Sequence, residues 1–168
     1  MTGDSRSTSA MDGAPEDKRT YLVVIDETAE AEVALRFAAR RAAKTGGAVE
    51  ILALLPVQEF NAWGAVQAAI EAEARQHVED IVRHALATLA SETIGAPSIR
   101  VKQGEAVAAI RETLNENAEI AALVLGAAAT GAPGPLVSHF AGADAGTLPC
   151  PLMIVPGSLT AEALDRLS

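Results

Sequence analysis

The sequence predicts an α/β fold: one doubly wound sheet of five parallel strands, order 3-2-1-4-5, with helices on both faces. Three observations predict it. Strand-like runs alternate with helical patterns from Tyr21 onward, as βαβ units require. The first and fourth runs are continuously apolar, the mark of strands covered on both faces, whereas the third alternates and so belongs at an edge. Hydrophobic residues make up 49% of the 168 residues but aromatic ones only 3%, so the core must be built from Ala, Val, Leu and Ile, which suit helices packed closely on a parallel sheet.

The first strand is Tyr21-Leu22-Val23-Val24-Ile25, closed by Asp26. Thr28 then supplies an N-cap, Glu30 and Glu32 an acidic first turn, and Val33, Ala34, Phe37, Ala38 and Ala42 the apolar stripe of a helix ending at Gly46-Gly47. Val49 to Leu55 is the second strand, ended by Pro56. A loop with Phe60 and Trp63 leads into a long helix whose apolar positions Ile70, Ala74, Val78, Ile81, Ala85 and Leu89 recur at three and four; it stops before Gly95-Ala96-Pro97.

Ser98-Ile99-Arg100-Val101-Lys102 alternates and is read as the third strand, with one exposed face. Gly104-Glu105 opens a helix with the inner stripe Val107, Ile110 and Leu114, and Ile120 to Leu125 is the buried fourth strand. A glycine-rich turn follows, then a short helix expected over Ser138 to Ala145, and Cys150 to Val155 is the fifth strand. With order 3-2-1-4-5, the ends of strands one and four meet at the switch point where such sheets bind ligands, so Asp26 and Gly126 face one crevice.

Composition excludes several function classes. A net charge of −9 and a pI near 4.8 disfavour nucleic acid, which is bound through Lys and Arg replacing counterions. A single cysteine, Cys150, rules out an internal disulfide and fits a reducing compartment; inside its apolar run it reads as a structural thiol. Residues 1–18 are small, polar and charged, without the apolar stretch of a secretory signal, and are expected to be a disordered tail, with Met11 as an alternative start. No run approaches the ~18 apolar residues of a membrane span, so a cytoplasmic protein is expected. The expected domain covers 19–157, and 158–168 is a tail in which Thr160 and Leu164 suggest a cap and a short helix.

Taken in order, Asp26 with Thr28, the Ala34-Leu35-Arg36-Phe37-Ala38 run, Gly104 with Ile110, Val124-Leu125-Gly126 and Pro149-Cys150-Pro151 resemble the universal stress protein family, over nearly all of Tyr21 to Gly157. The resemblance implies the adenine nucleotide alpha hydrolase-like form of the predicted sheet. ATP-binding members of that family carry glycine, two residues, glycine, nine residues, then glycine and Ser or Thr, because backbone N–H groups and a hydroxyl at a helix start can hold a triphosphate where glycine permits close approach. Gly126 matches the first position, but Ala129 holds the second. Nine residues further on stands His139, while counting back from Pro149-Cys150-Pro151 puts Ser138 at the third glycine, so the loop is one residue short. Pro133 and Pro135 stiffen it further.

Two functional readings follow. In the first, a homodimeric stress-response protein keeps a nucleotide-type crevice with a degraded triphosphate loop and works by regulated association with an unknown protein partner. In the second, ATP or another adenine nucleotide binds as a switch, with very slow hydrolysis at most, on a rearranged loop. The candidate nucleotide-site residues are Asp26, Thr28, Leu54, Gly126, Gly131, Gly134, Ser138 and His139. Asp26 matches the acidic residue at the family's adenosine end and serves equally well as a helix cap. The family's habit of pairing last strands implies a two-fold dimer on Leu152, Met153, Ile154 and Val155, limited by Pro151 and Pro156.

No catalytic or metal set is expected. His77 and His84 are seven apart on one helix, about 10 Å along its axis, too far to share an ion. His139 has no nucleophile or carboxylate partner evident in the sequence around it. The acidic Glu71, Glu73, Glu79 and Asp80, interleaved with Arg75 and Arg83, read as a solvated helix face. Neither a receiver domain nor an ATP pyrophosphatase nor a dinucleotide-binding Rossmann fold fits: strand three lacks a terminal acid and the turn after strand one lacks the required glycines.

Overall fold

The computed structural model describes residues 19–55 and 64–168. The tail 1–18, Pro56 and the loop with Phe60 and Trp63 lie outside the described residues. The elements are β1 (Thr20–Ile25), α1 (Ala29–Thr45), β2 (Ala48–Leu55), α2 (Ala65–Leu89), β3 (Ser98–Gln103), α3 (Ala106–Glu116), β4 (Ile120–Ala127), α4 (Pro135–Ala141), β5 (Leu152–Pro156) and α5 (Ala161–Leu167). All pairings are parallel, in the predicted order β3-β2-β1-β4-β5.

Every residue of β1 is buried, because the pleat delivers alternate side chains to two cores. Tyr21, Val23 and Ile25 join Leu35, Ala38 and Ile51 beneath α1 and α2, while Leu22 and Val24 join Ile110, Leu123 and Phe140 beneath α3 and α4. Alanines at 31, 34, 38, 39 and 42 are all buried and let α1 lie close on the sheet. Its caps are those expected: the Thr28 hydroxyl accepts the Ala31 N–H, and Gly46 ends the helix at φ +66.

β3 sits at an edge, and in its middle the exposed side chains are the apolar Ile99 and Val101. The polar face is instead half-covered: Arg100 bonds Glu50 and Glu116, and Lys102 bonds Glu112 and Glu116. Glu50 is 4% exposed, yet both its oxygens are satisfied, one by Arg100 at 2.8 Å and the other by the Asn117 amide at 2.9 Å.

The C-terminal segment does form a helix, capped by Thr160, and it packs on its own chain. Leu164 is buried in the α1 core, Arg40 bonds Asp165 and the Ala161 carbonyl, and Lys44 bonds the Asp165 carbonyl. Among the described residues no helix is long and apolar enough to cross a membrane.

Candidate functional site

The carboxyl ends of β1 and β4 lie beside each other at the switch point, and α1 starts across them. Asp26 Oδ1 accepts both the Thr28 N–H at 2.8 Å and its hydroxyl at 2.5 Å, and Thr28 Oγ1 in turn accepts Ala31 N–H at 3.3 Å. Capping is therefore part of what Asp26 does. Gly126 has its own reason to be glycine: a Cβ there would stand 2.2 Å from the Glu30 carbonyl oxygen, since the first turn of α1 crosses the end of β4.

Beyond Ala127 the chain closes on itself, with Ala128 N–H donating to the Pro133 carbonyl at 3.2 Å. Gly131 (φ +75) and Gly134 (φ +104) supply the left-handed conformations of this loop. α4 begins at Pro135, three residues before the expected Ser138, and ends at Ala141 instead of Ala145. Proline at N1 has the helical φ built in and needs no hydrogen-bond acceptor there, so it starts the helix. Ser138 thereby moves inside it, donating its N–H to the Gly134 carbonyl at 3.0 Å, with its residue exposed.

The expectation that His139 has no carboxylate partner is corrected. The chain turns back after Gly142, and His139 Nε2 meets Asp144 Oδ2 at 2.8 Å. Arg111 Nε donates to the same oxygen at 2.7 Å and its Nη2 to Thr147 Oγ1 at 3.1 Å. Arg111, and then His139, hold the Asp144 carboxyl below the usual range. The His139 ring also stands edge-on to Phe140, centroids 5.2 Å apart.

These pieces surround a crevice of about 540 Å³, within the size range of small-molecule sites. Asp26, Thr28, Leu54, Gly126, Gly134 and His139 line it; Gly131 and Ser138 do not. The lining also includes two acids that sequence reasoning left out of the site, Glu30 and Glu105. In the sequence Glu105 reads as opening a helix. The usable signal was its place: it follows the carboxyl end of a strand, where every loop of such a sheet converges.

A second cleft of about 500 Å³ lies between the β1–α1 turn and α2. There His77 pairs with Glu27 at 2.6 Å and His84 with Glu32 at 3.6 Å, in two separate pairs on an exposed helix side.

The universal stress protein family profile matches residues 18–156, most of the chain. The chain belongs to the universal stress protein family. Solved structures of family members share its fold. The universal stress protein UspA from Lactobacillus plantarum is 18% identical, with a TM-score of 0.67 over 82% of this chain and 97% of that one. A universal stress protein in complex with cAMP is 18% identical, TM-score 0.59, covering 83% and 98%. An Arabidopsis thaliana family protein with AMP bound is 12% identical, TM-score 0.55, covering 86% and 94%. A search of curated proteins gives no match.

Proposed function

We propose that this family member is a cytoplasmic stress-response protein that works as a homodimer and holds an adenine compound in the crevice, without a working triphosphate loop. It acts through regulated association with a protein partner and not through chemistry. The observation that carries this reading is the contrast within one crevice. Asp26 and Gly126 line it together, while the segment that would cradle phosphates closes its own hydrogen bond, starts its helix with a proline and leaves Gly131 and Ser138 outside the lining. Both Thr28 bonds fall on Asp26 Oδ1, so Oδ2 is uncommitted among the described residues and suits a ligand's hydroxyl or amine. Family members with cAMP and with AMP bound support an adenine compound in this fold. The placement of Gly131 and Ser138 weighs against a rearranged loop built for ATP.

The dimer reading rests on β5, an outer strand of the sheet with Ile154 43% exposed beside half-buried Leu152 and Met153. An apolar edge of this kind invites pairing with a second copy.

Calorimetry tests the ligand reading. AMP should bind saturably, and Asp26→Ala should weaken it by about tenfold, the worth of a charge-assisted hydrogen bond. Magnesium-dependent ATP binding in the micromolar range or better would sink the degraded-loop reading. Light scattering checks the dimer: Ile154→Asp should give a monomer, and an unchanged dimer would move the interface elsewhere.

A further inference from the structure

We propose that the crevice selects its ligand by charge, with Glu105 as the specificity-determining residue, admitting an adenine compound with at most one phosphate (adenosine, cyclic AMP or AMP) and turning away polyphosphates. This rests on the adenine-compound reading above and adds which member of that class the site takes.

Acidic residues line the crevice at three places: Asp26 after β1, Glu30 in the first turn of α1, and Glu105 after β3. Among the described lining residues there is no Lys or Arg. The one lining residue able to carry positive charge, His139, has its Nε2 on Asp144, whose carboxylate offsets that charge.

Glu105 decides the matter because of what it covers. Its Oε1 accepts Val107 N–H at 3.0 Å and its Oε2 accepts Ala108 N–H at 2.8 Å, so both oxygens lie on the free donors that open α3. Donors of that kind are what a phosphate would seek at the rim of the crevice. The chain's own carboxylate occupies them and leaves its negative charge behind. Those two bonds, and then the nearby His139, hold its carboxyl below the usual range, so it stays ionised. α4 offers little in return: Pro135 has no N–H and that of Ala128 is taken by the Pro133 carbonyl, so the donors left at this corner are the uncapped N–H groups of Leu136 and Val137, enough for one phosphate group and not for a chain of them.

Each phosphate of a polyphosphate tail therefore adds repulsion, whereas adenosine adds none. Glu105 is exposed, so salt screens its effect. That gives the idea a signature that simple steric exclusion lacks.

The test measures dissociation constants of adenosine, cyclic AMP, AMP and ATP on the full chain by calorimetry without magnesium. It compares low ionic strength, ~20 mM, with ~300 mM. At low salt adenosine should bind at least about tenfold more tightly than ATP, with cyclic AMP and AMP between. Glu105→Gln and Glu105→Ser, each still able to cap α3, should shrink the adenosine-to-ATP ratio about three- to tenfold. Glu79→Gln, on the exposed side of α2, should leave the ratio alone. High salt should narrow it. Circular dichroism keeps the folding of each variant in view. ATP binding as tight as adenosine in the parent protein overturns the inference while the adenine reading stands, and so does a ratio that neither Glu105 variant nor salt moves. If adenosine, cyclic AMP and AMP all give no heat, the adenine reading falls and this inference falls with it.

Discussion

The crevice has two corners, and they differ in how strictly the fold dictates them. At the β1–α1 corner each residue is tied to its neighbour: Asp26 holds Thr28, Thr28 caps α1, and the start of α1 presses on Gly126. At the β4–α4 corner the loop touches little. A Cβ at Gly131 or Gly134 would meet open space, and the loop is fixed mainly by the Ala128 to Pro133 hydrogen bond and by two prolines. A corner built into the packing resists change, whereas a loop held by its own backbone can be rewritten without disturbing the sheet. The loop proposed to have lost its hold on a triphosphate lies at the corner where alteration is cheap.

The sharpest way to break this comparison is to add one methyl group at each corner. Gly126→Ala forces Cβ into the Glu30 backbone and should cost about 3 kcal/mol by urea denaturation, with or without any ligand. Gly134→Ala meets no atom and should cost only the strain of its positive φ, about 1–2 kcal/mol. Equal losses would mean that the two corners are equally constrained. Next in size, Thr28→Ala should cost about 1 kcal/mol through the lost cap. Because Thr28 also anchors Asp26, it should weaken nucleotide binding too, whereas Ser138→Ala should leave both quantities nearly unchanged.

The smallest effect concerns acid. Asp144 has its folded-state pKa lowered by Arg111 and His139, so its contribution is present above the ordinary aspartate value of about 4 and is lost as pH falls through the lower folded value. Thermal melts between pH 5 and pH 2 should show Asp144→Asn losing less stability on acidification than the parent protein. A steeper loss in the variant would contradict the Arg111–Asp144–His139 arrangement.

The sheet was legible because its strands differ in the one property that sets their order: β3 alternates and the others do not. What alternation could not tell was which face of β3 would be open. Glu112 and Glu116 on α3 cover Arg100 and Lys102, and Ile99 and Val101 are left exposed. The sequence reading starts α4 at Ser138, but Gly134-Pro135 is the stronger local start signal and sets the start at Pro135. Asp144 is not evident as a partner of His139 from the sequence, because it is a turn after Gly142 that brings it back to the ring. Gly126 was ambiguous by nature: close approach of a phosphate and close approach of a helix both demand glycine, and the crossing of α1 supplies the second reason.

The most direct test of the central claim is to purify the protein without added nucleotide, denature it and identify what it releases by mass spectrometry. The account predicts that any adenine compound recovered carries at most a single phosphate. ATP or ADP recovered at close to one per subunit would contradict it and would mean that the rewritten loop still holds a polyphosphate.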